Sequence, residues 1–415
     1  MTFFERKVAE LFSLAGVRIN GTQPHDITVR DSRFYRRFLF DGRLGLGESY
    51  MDGWWECERL DEMMYKVYTA ERLIVDHIRT PATVIRGLPG RLLPHGSKWR
   101  SKEIGKFHYD LGNDFYEAIL DPYFNYTCGY FAGGAKTLED AQIAKMDRIC
   151  RKLRLQPGMK LLDIGCGWGG FAKFAAERYG VHVTGISVSE EQLKHARRLC
   201  EGLDVEVRYL DYRNLSETYD RITTIGMIEH VGPRYYRSFM KMVSSCLTQG
   251  GIFVLHTLGF NTSDYKNPWL QKYIFPGGFI PSLQHIARAH EGLLTTEHVE
   301  NIGYDYSKTL LCWFDNFEKN WAYLRSYNPE KYDDRFYRTW RFYLLATSAG
   351  FRVGKALVWQ FVFSKGWVDG GYVLPADENR NNEMTATNSQ VLPAYVGSDR
   401  RHVTSRDASL IVISK

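Results

Sequence analysis

The sequence predicts an α/β protein, a doubly wound sheet joined to a smaller α+β N-terminal domain. Three observations carry that expectation. Between about residues 140 and 257, short apolar runs alternate with helical spacing, the pattern of a parallel sheet covered by helices. The first of those runs, Lys160–Ile164, leads into a glycine-rich turn, Gly165-Cys166-Gly167-Trp168-Gly169-Gly170. At 415 residues the chain also exceeds one ordinary core, so a second domain is expected.

Taken in order, Phe4, Val8, Leu11, Phe12 and Ala15 recur at the spacing of an amphipathic helix that Gly16 stops. Val17–Ile19 reads as a strand before the Asn20-Gly21 turn, and Ile27–Val29 as a second. Ser32 is placed to cap a helix through Leu39. Beyond Gly42, the stretch Leu44–Trp55 sets three more glycines beside large side chains, which predicts tight turns packed against rings. Helical spacing returns from Leu60 to Ile78. Residues 79–106 read as a connector, rich in Pro and Gly and carrying seven Lys or Arg against Glu103 alone. Such a run is either a solvated face or a contact for anionic lipid heads, worth about 1 kcal/mol per cation near a membrane surface.

Strands are expected at Lys160–Ile164, Val181–Ser187, Val205–Tyr209, Arg221–Gly226 and Ile252–His256. Helices are expected at Gly169–Tyr179, Ser189–Cys200 and about Tyr235–Leu247. Ser282–His290 and Asp334–Thr347 read as further helices, and Val358–Ser364 as a strand. Residues 369–395, rich in Gly, Asn, Thr and Pro, read as mobile.

Composition excludes several classes. Apolar residues make 44% of the chain and charged residues 25%, an ordinary globular balance. The net charge of +6 is modest, and no nucleic-acid motif accompanies the basic connector, so no nucleic-acid partner is expected. The seven Cys (57, 128, 150, 166, 200, 246, 312) show neither metal-like nor disulfide-framework spacing, which predicts no metal site and reduced thiols in a cytoplasm. Met1–Lys7 lacks a secretory signal, and no apolar run reaches the roughly 20 residues that span a bilayer.

The glycine turn fits a nucleotide, because glycines admit a ligand to the backbone and the following helix offers free N–H groups. Gly165, Gly167 and Gly170 match dinucleotide spacing, but Asp163 does not suit a pyrophosphate. A carboxylate there suits a ligand with an ammonium group, such as the methionine end of S-adenosylmethionine. The second strand ends in Ser187, with Gln192 behind it, rather than in the acid expected for a dinucleotide ribose. Ser187 and Gln192 can still bond ribose hydroxyls, and Asp211, in Asp211-Tyr212-Arg213, can accept from an adenine amino group. Glu229 and His256 end the fourth and fifth strands and are expected to converge near the transferred carbon. Tyr126, Thr127 and Cys128 lie just ahead of the fold, where they can close over the cofactor, whose expected ligands also include Cys166, Tyr212 and Arg213.

At these positions the sequence resembles the cyclopropane-fatty-acyl-phospholipid synthase family. The matching blocks are LGLGESYMDGWWE (Leu44–Glu56), HYDLGND (His108–Asp114), YTCGY (Tyr126–Tyr130), LDIGCGWGG (Leu162–Gly170), GMIEHVG (Gly226–Gly232), HTLG (His256–Gly259) and YIFP (Tyr273–Pro276). LDIGCGWGG alone indicates only a Rossmann-like methyltransferase sheet; the others narrow it. The resemblance extends to about Gly366. It implies an N-terminal α+β domain over residues 1–98, a catalytic domain over 99–366 and an extension over 367–415. It further implies that the cis alkene of a phospholipid acyl chain takes the sulfonium methyl, and that bound bicarbonate removes a proton from the resulting cation as the ring closes. The implied bicarbonate ligands are the side chains of Glu229, His256 and Tyr306, with backbone help around Cys128 and Leu258. A homodimer, peripherally attached to the inner face of the membrane, is expected. Trp313 and Phe317 follow Tyr306 at helical spacing and read as core. Some members carry a cysteine where Thr347 stands, so no thiol nucleophile is available there. The alternative is a related methyltransferase that leaves a methyl branch on lipid or methylates a small amine.

Overall fold

The computed structural model describes residues 1–78, 112–263 and 267–374. Met1–Ala376 forms one compact unit; a second, Asp377–Lys415, lies outside the described residues. The basic 79–106 segment, the expected boundary at residue 98 and the 375–395 part of the stretch read as mobile lie outside them too.

The first helix, Phe3–Ser13, opens with a capping box in which Thr2 and Glu5 satisfy each other's backbone N–H groups, and it buries Val8, Leu11 and Phe12. Val17–Ile19 does not form the expected strand; only a bridge between Ile19 and Ile27 survives. The Asp26 carboxylate explains this, since it accepts the N–H groups of Arg18 at 2.8 Å and Gln23 at 3.0 Å and so competes with strand pairing. The N-terminal sheet is instead β1 (Thr28–Val29) paired antiparallel with β2 (Trp55–Glu56).

The glycine stretch after Gly42 departs from the expected turns. One helix runs Arg33–Met51, kinked at Gly42 (φ 54°), and Ser32 makes no side-chain cap. Its glycines serve close approach: a Cβ on Gly45 would lie 2.4 Å from the Arg37 carbonyl oxygen, and one on Gly47 2.4 Å from Cδ1 of Trp269. The expected packing against rings therefore holds, with helix in place of turn. The helical spacing over 60–78 resolves into two helices, Leu60–Thr69 and Glu71–Ile78.

The main sheet has seven strands among the described residues: β3 (Lys160–Ile164), β4 (His182–Ser187), β5 (Val205–Tyr209), β6 (Tyr219–Ile225), β7 (Leu247–Gly259), β8 (Thr295–Asn301) and β9 (Leu357–Ser364). Their order is β5-β4-β3-β6-β7-β9-β8. The first five in that order are parallel, and β9 inserts antiparallel between β7 and β8. The sheet is thus mixed, with an antiparallel edge added to the expected parallel core. Strand order reverses between β3 and β6, which opens a crevice at their carboxyl ends.

The edge strand β8 has no apolar alternation, which is why the sequence gives no sign of it. Helices Asn113–Ile119, Leu138–Lys152 and Pro268–Tyr273 and the full 25-residue helix Gly303–Tyr327 also go beyond the sequence reading. Trp313 and Phe317 on that last helix are fully buried, as core spacing predicts. N-terminal and sheet-side elements share one aromatic core. The Tyr50 ring lies 4.8 Å from Trp55 and 5.6 Å from Phe342 of helix Asp334–Arg352. From the same helix, the Arg338 guanidinium donates to the carbonyls of Tyr50 (2.5 Å) and Trp55 (2.9 Å).

Candidate functional site

The glycine turn sits at the end of β3, where the crevice opens. Gly165, Gly167 and Gly169 hold φ of 82°, 56° and 88°, a left-handed run that side chains resist. Gly170 is held by contact instead: its Cβ would fall 1.9 Å from the Tyr123 carbonyl oxygen. The N–H groups of Gly165 and Cys166 both donate to the Ile186 carbonyl, at 2.9 and 3.1 Å, fixing the turn against β4. Asp163 lies in β3 between Gly185 and Thr223 and is buried. Burial pushes its carboxyl up to about 7, with Lys145 pulling the other way. A desolvated acid facing a glycine cradle fits a ligand that brings its own positive charge.

Residues 121–132 form a strap over that turn, pinned from both sides. The Asp121 carboxylate accepts the Asn125 N–H at 2.8 Å. Lys145, fully buried in helix Leu138–Lys152, donates to the Asn125 side-chain oxygen at 2.9 Å and the Thr127 hydroxyl at 3.0 Å. Gln142 donates to the Thr127 carbonyl at 2.8 Å. From helix Gly303–Tyr327, Thr309 accepts the Gly129 N–H at 3.0 Å, and Asp305 accepts those of Phe131 (2.9 Å) and Ala132 (3.1 Å). Burial lowers Lys145 to about 8. Burial also raises the Cys128 and Cys166 thiols well above the ordinary range, so both stay protonated and unreactive.

The acidic centre lies across the crevice. Glu229 occupies a short 3-10 turn, Ile228–His230, just after β6. Its Oε1 accepts the Leu258 N–H at 2.7 Å, so the amide expected to help hold an anion here serves the carboxylate. Its Oε2 is buried and has no hydrogen-bond partner. Desolvation raises its pKa, against the backbone N–H of Leu258. His256, opposite Ile225 in the β6–β7 register, is also buried. Tyr306 stands on the first turns of helix Gly303–Tyr327, its ring 4.7 Å from Phe351 and 5.7 Å from Trp313. Burial raises its phenol well above its usual range and keeps the O–H available as a donor.

Asp163, Cys128, Glu229, His256 and Tyr306 line one cavity of about 580 Å³. Its wall includes every expected site residue: Tyr126, Thr127, Cys128, Asp163, Gly165, Cys166, Gly167, Gly170, Ser187, Gln192, Asp211, Tyr212, Arg213, Glu229, His256, Leu258 and Tyr306. One differs in state from its expected role: Asp211 accepts from the Arg213 Nε at 2.8 Å, so its carboxylate is already engaged. The sequence reading does not single out the apolar wall contributed by Phe275, Phe279, Tyr343, Ala346 and Phe351, because apolar residues that line a pocket and those that fill a core look alike in sequence. Thr347 also lines the cavity. Among the described residues, no group of three or more His, Cys, Asp or Glu is placed to hold a metal ion. None of the described helices is long and apolar enough to cross a membrane.

Residues 96–361 match the family described as mycolic acid cyclopropane synthetase. The chain is 45% identical over 364 residues to cyclopropane-fatty-acyl-phospholipid synthase of Escherichia coli strain K12, covering 87% of this chain and 93% of that protein. Among solved structures, the cyclopropane synthase MmaA2 from Mycobacterium tuberculosis aligns with TM-score 0.60 and 30% identity, over 66% of this chain and all of that one. Mycolic acid cyclopropane synthase CmaA1, solved with SAH and CTAB, aligns with TM-score 0.58 and 32% identity, over 63% of this chain and 98% of that one.

Proposed function

The chain belongs to the mycolic acid cyclopropane synthetase family, and from that premise we propose that it moves a methylene group from S-adenosylmethionine onto the cis double bond of an unsaturated phospholipid acyl chain. The observation that carries the reading is Glu229: a buried carboxylate with one oxygen held by Leu258 and the other unpartnered, on the wall of the cavity that also holds Asp163.

The donor supplies an electrophilic methyl on sulfur. Asp163 faces its ammonium group, Ser187 and Gln192 its ribose, and the Gly165–Gly170 turn brings backbone against it. Asp211 and Arg213 take the adenine end as a pair. The acyl chain enters among Phe275, Tyr343 and Phe351, whose ring faces stabilise a developing carbocation and keep water from quenching it. Bicarbonate would accept the proton released as the ring closes. The free Oε2 of Glu229 is an acceptor for the anion's own O–H, and the Tyr306 hydroxyl and His256 supply donors. A buried thiol is not needed, and Thr347 stands where one would be.

The reading includes a catalytic domain over 99–366, a homodimer, and attachment through basic residues to the inner face of the membrane. The test is incubation with unsaturated phospholipid vesicles and labelled S-adenosylmethionine. Mass spectrometry should find acyl chains that gain one CH₂ and lose the double bond. Methylated chains that keep a double bond would overturn ring closure. Vesicle flotation at low and high salt tests attachment, and light scattering tests the dimer.

A further inference from the structure

Behind His256 lies a row of buried polar side chains that the transfer chemistry does not use. Gln360 on β9 stands directly opposite His256 on β7 and opposite Glu300 on β8, so the three occupy one row across the antiparallel edge of the sheet. Gln360 is fully buried and His256 nearly so. The Gln360 amide nitrogen lies 3.1 Å from Nδ1 of His256. On its other side, Lys152 from helix Leu138–Lys152 reaches into the row, its Nζ 2.5 Å from the Gln360 amide oxygen. Lys152 also pairs with Glu300, which Arg148 holds from the far side at 2.6 Å.

The direction of every bond in this row is fixed by chemistry. An ammonium group donates and never accepts. Lys152 therefore claims the oxygen of Gln360 and turns its NH₂ toward the imidazole. An NH₂ can only donate, so Nδ1 of His256 must accept and cannot carry a proton. In neutral imidazole the proton then resides on Nε2. Burial of the imidazole, reinforced by the positive charges of Lys145 and Lys152 and opposed by Glu300, places its pKa well below the ordinary value, so it stays neutral. Burial alone would raise Glu300, but Arg148 and Lys152 outweigh it and hold the carboxylate at about 2.

We propose that Gln360 and Lys152 are positioning residues that lock His256 as the Nε2–H tautomer, so that it meets an anion in the cavity as a hydrogen-bond donor and never as a base. The inference rests on the reading that this cavity holds a small anion. It assigns proton removal to that anion rather than to His256, whose Nδ1 lone pair is taken by Gln360 and whose Nε2 carries the proton. It also gives the antiparallel edge a purpose: β9 brings the amide, and β8 brings the acid that holds the lysine.

The test is nitrogen NMR of the protein labelled with ring-15N histidine, using long-range nitrogen–proton correlations to read each tautomer. His256 is assigned by the signals lost in His256→Asn. The wild type should show Nε2–H without titrating across neutral pH; an Nδ1–H or charged ring would overturn the proposal. Gln360→Glu keeps the shape and the Lys152 contact but offers only acceptors, so His256 should switch to Nδ1–H. Product formation should then fall about 10–100-fold in kcat, the usual range for orienting partners, with KM for S-adenosylmethionine unchanged. An unswitched ring in that variant, or a switched ring with full kcat, would each overturn the proposal. The tautomer is read without turnover. A wild type that makes no cyclopropane would therefore count against the proposed function while leaving the tautomer result intact.

Discussion

Gly47 lies directly against the indole of Trp269. A Cβ at residue 47 would stand 2.4 Å from Cδ1 and 2.5 Å from Nε1 of that ring. The contact joins helix Arg33–Met51 to helix Pro268–Tyr273, and Trp269 also donates to the Met51 sulfur at 3.2 Å. The next residue reinforces it, since Glu48 accepts from both Lys272 and Tyr273 at 2.7 Å. Gly47→Ala should therefore destabilise the fold by about 1–2 kcal/mol: overpacking costs roughly 1–3 kcal/mol, and the better helix propensity of alanine returns up to about 1 kcal/mol. Urea denaturation checks it, and an unchanged or raised midpoint would show that the ring yields freely.

Glu229→Gln keeps an oxygen for the Leu258 N–H but removes the acceptor capacity at the second position. The fold and S-adenosylmethionine affinity should persist, while ring formation should fall about 100-fold or more, the scale of a lost proton-handling group. Calorimetry and acyl-chain mass spectrometry read the two effects separately. Full activity in the variant would reject the anion site built on the free Oε2.

Asp163 makes cofactor binding release protons. With its carboxyl at about 7 in the ligand-free protein, a large fraction carries a proton at pH 6.5. An arriving ammonium group favours the ionised form and lowers that pKa. Binding at pH 6.5 should expel roughly half a proton or more, declining toward zero above about pH 8. The stability sign runs the same way. An acid whose folded pKa is raised loses stability as pH climbs from about 3.8 through 7, so Asp163→Asn should stabilise the ligand-free protein at neutral pH while weakening S-adenosylmethionine binding. Titration calorimetry in buffers of different ionisation enthalpy counts the protons, and none released at pH 6.5 would contradict the assignment.

The parallel half of this architecture is legible because buried strands of Leu, Ile and Val alternate with amphipathic helices, and because glycine turns have few other uses. Asp163, Glu229 and His256 can be found the same way, as polar residues ending apolar runs. The antiparallel edge is legible only in part: Val358–Ser364 reads as the strand that becomes β9, but its neighbour and its pairing do not show. β8 is polar and half exposed, so it lacks period-two contrast, and the pairing that sets Gln360 against His256 spans 104 residues. Lys145 and Lys152 carry no sequence sign of burial, yet both are buried, because tertiary partners outweigh their preference for water. The glycine helix misleads for another reason: glycines that admit a ring and glycines that turn a chain look alike in sequence.

Lys145 acts on both the strap and Asp163. It is buried with its Nζ bonded to Asn125 and Thr127, and its charge acts on Asp163 from across the strap. Lys145→Met retains the aliphatic stem and removes both effects. Without the cation, the Asp163 carboxyl should rise above its present value of about 7, so cofactor affinity at pH 7 should weaken and recover at higher pH. Loss of two buried hydrogen bonds costs roughly 1–3 kcal/mol at the strap, which also weakens binding but equally at every pH. The two contributions separate in one experiment, the pH dependence of S-adenosylmethionine affinity followed by calorimetry. A profile displaced to higher pH supports electrostatic support of Asp163 by Lys145. A uniform loss without displacement would reduce Lys145 to a tether for residues 125–127.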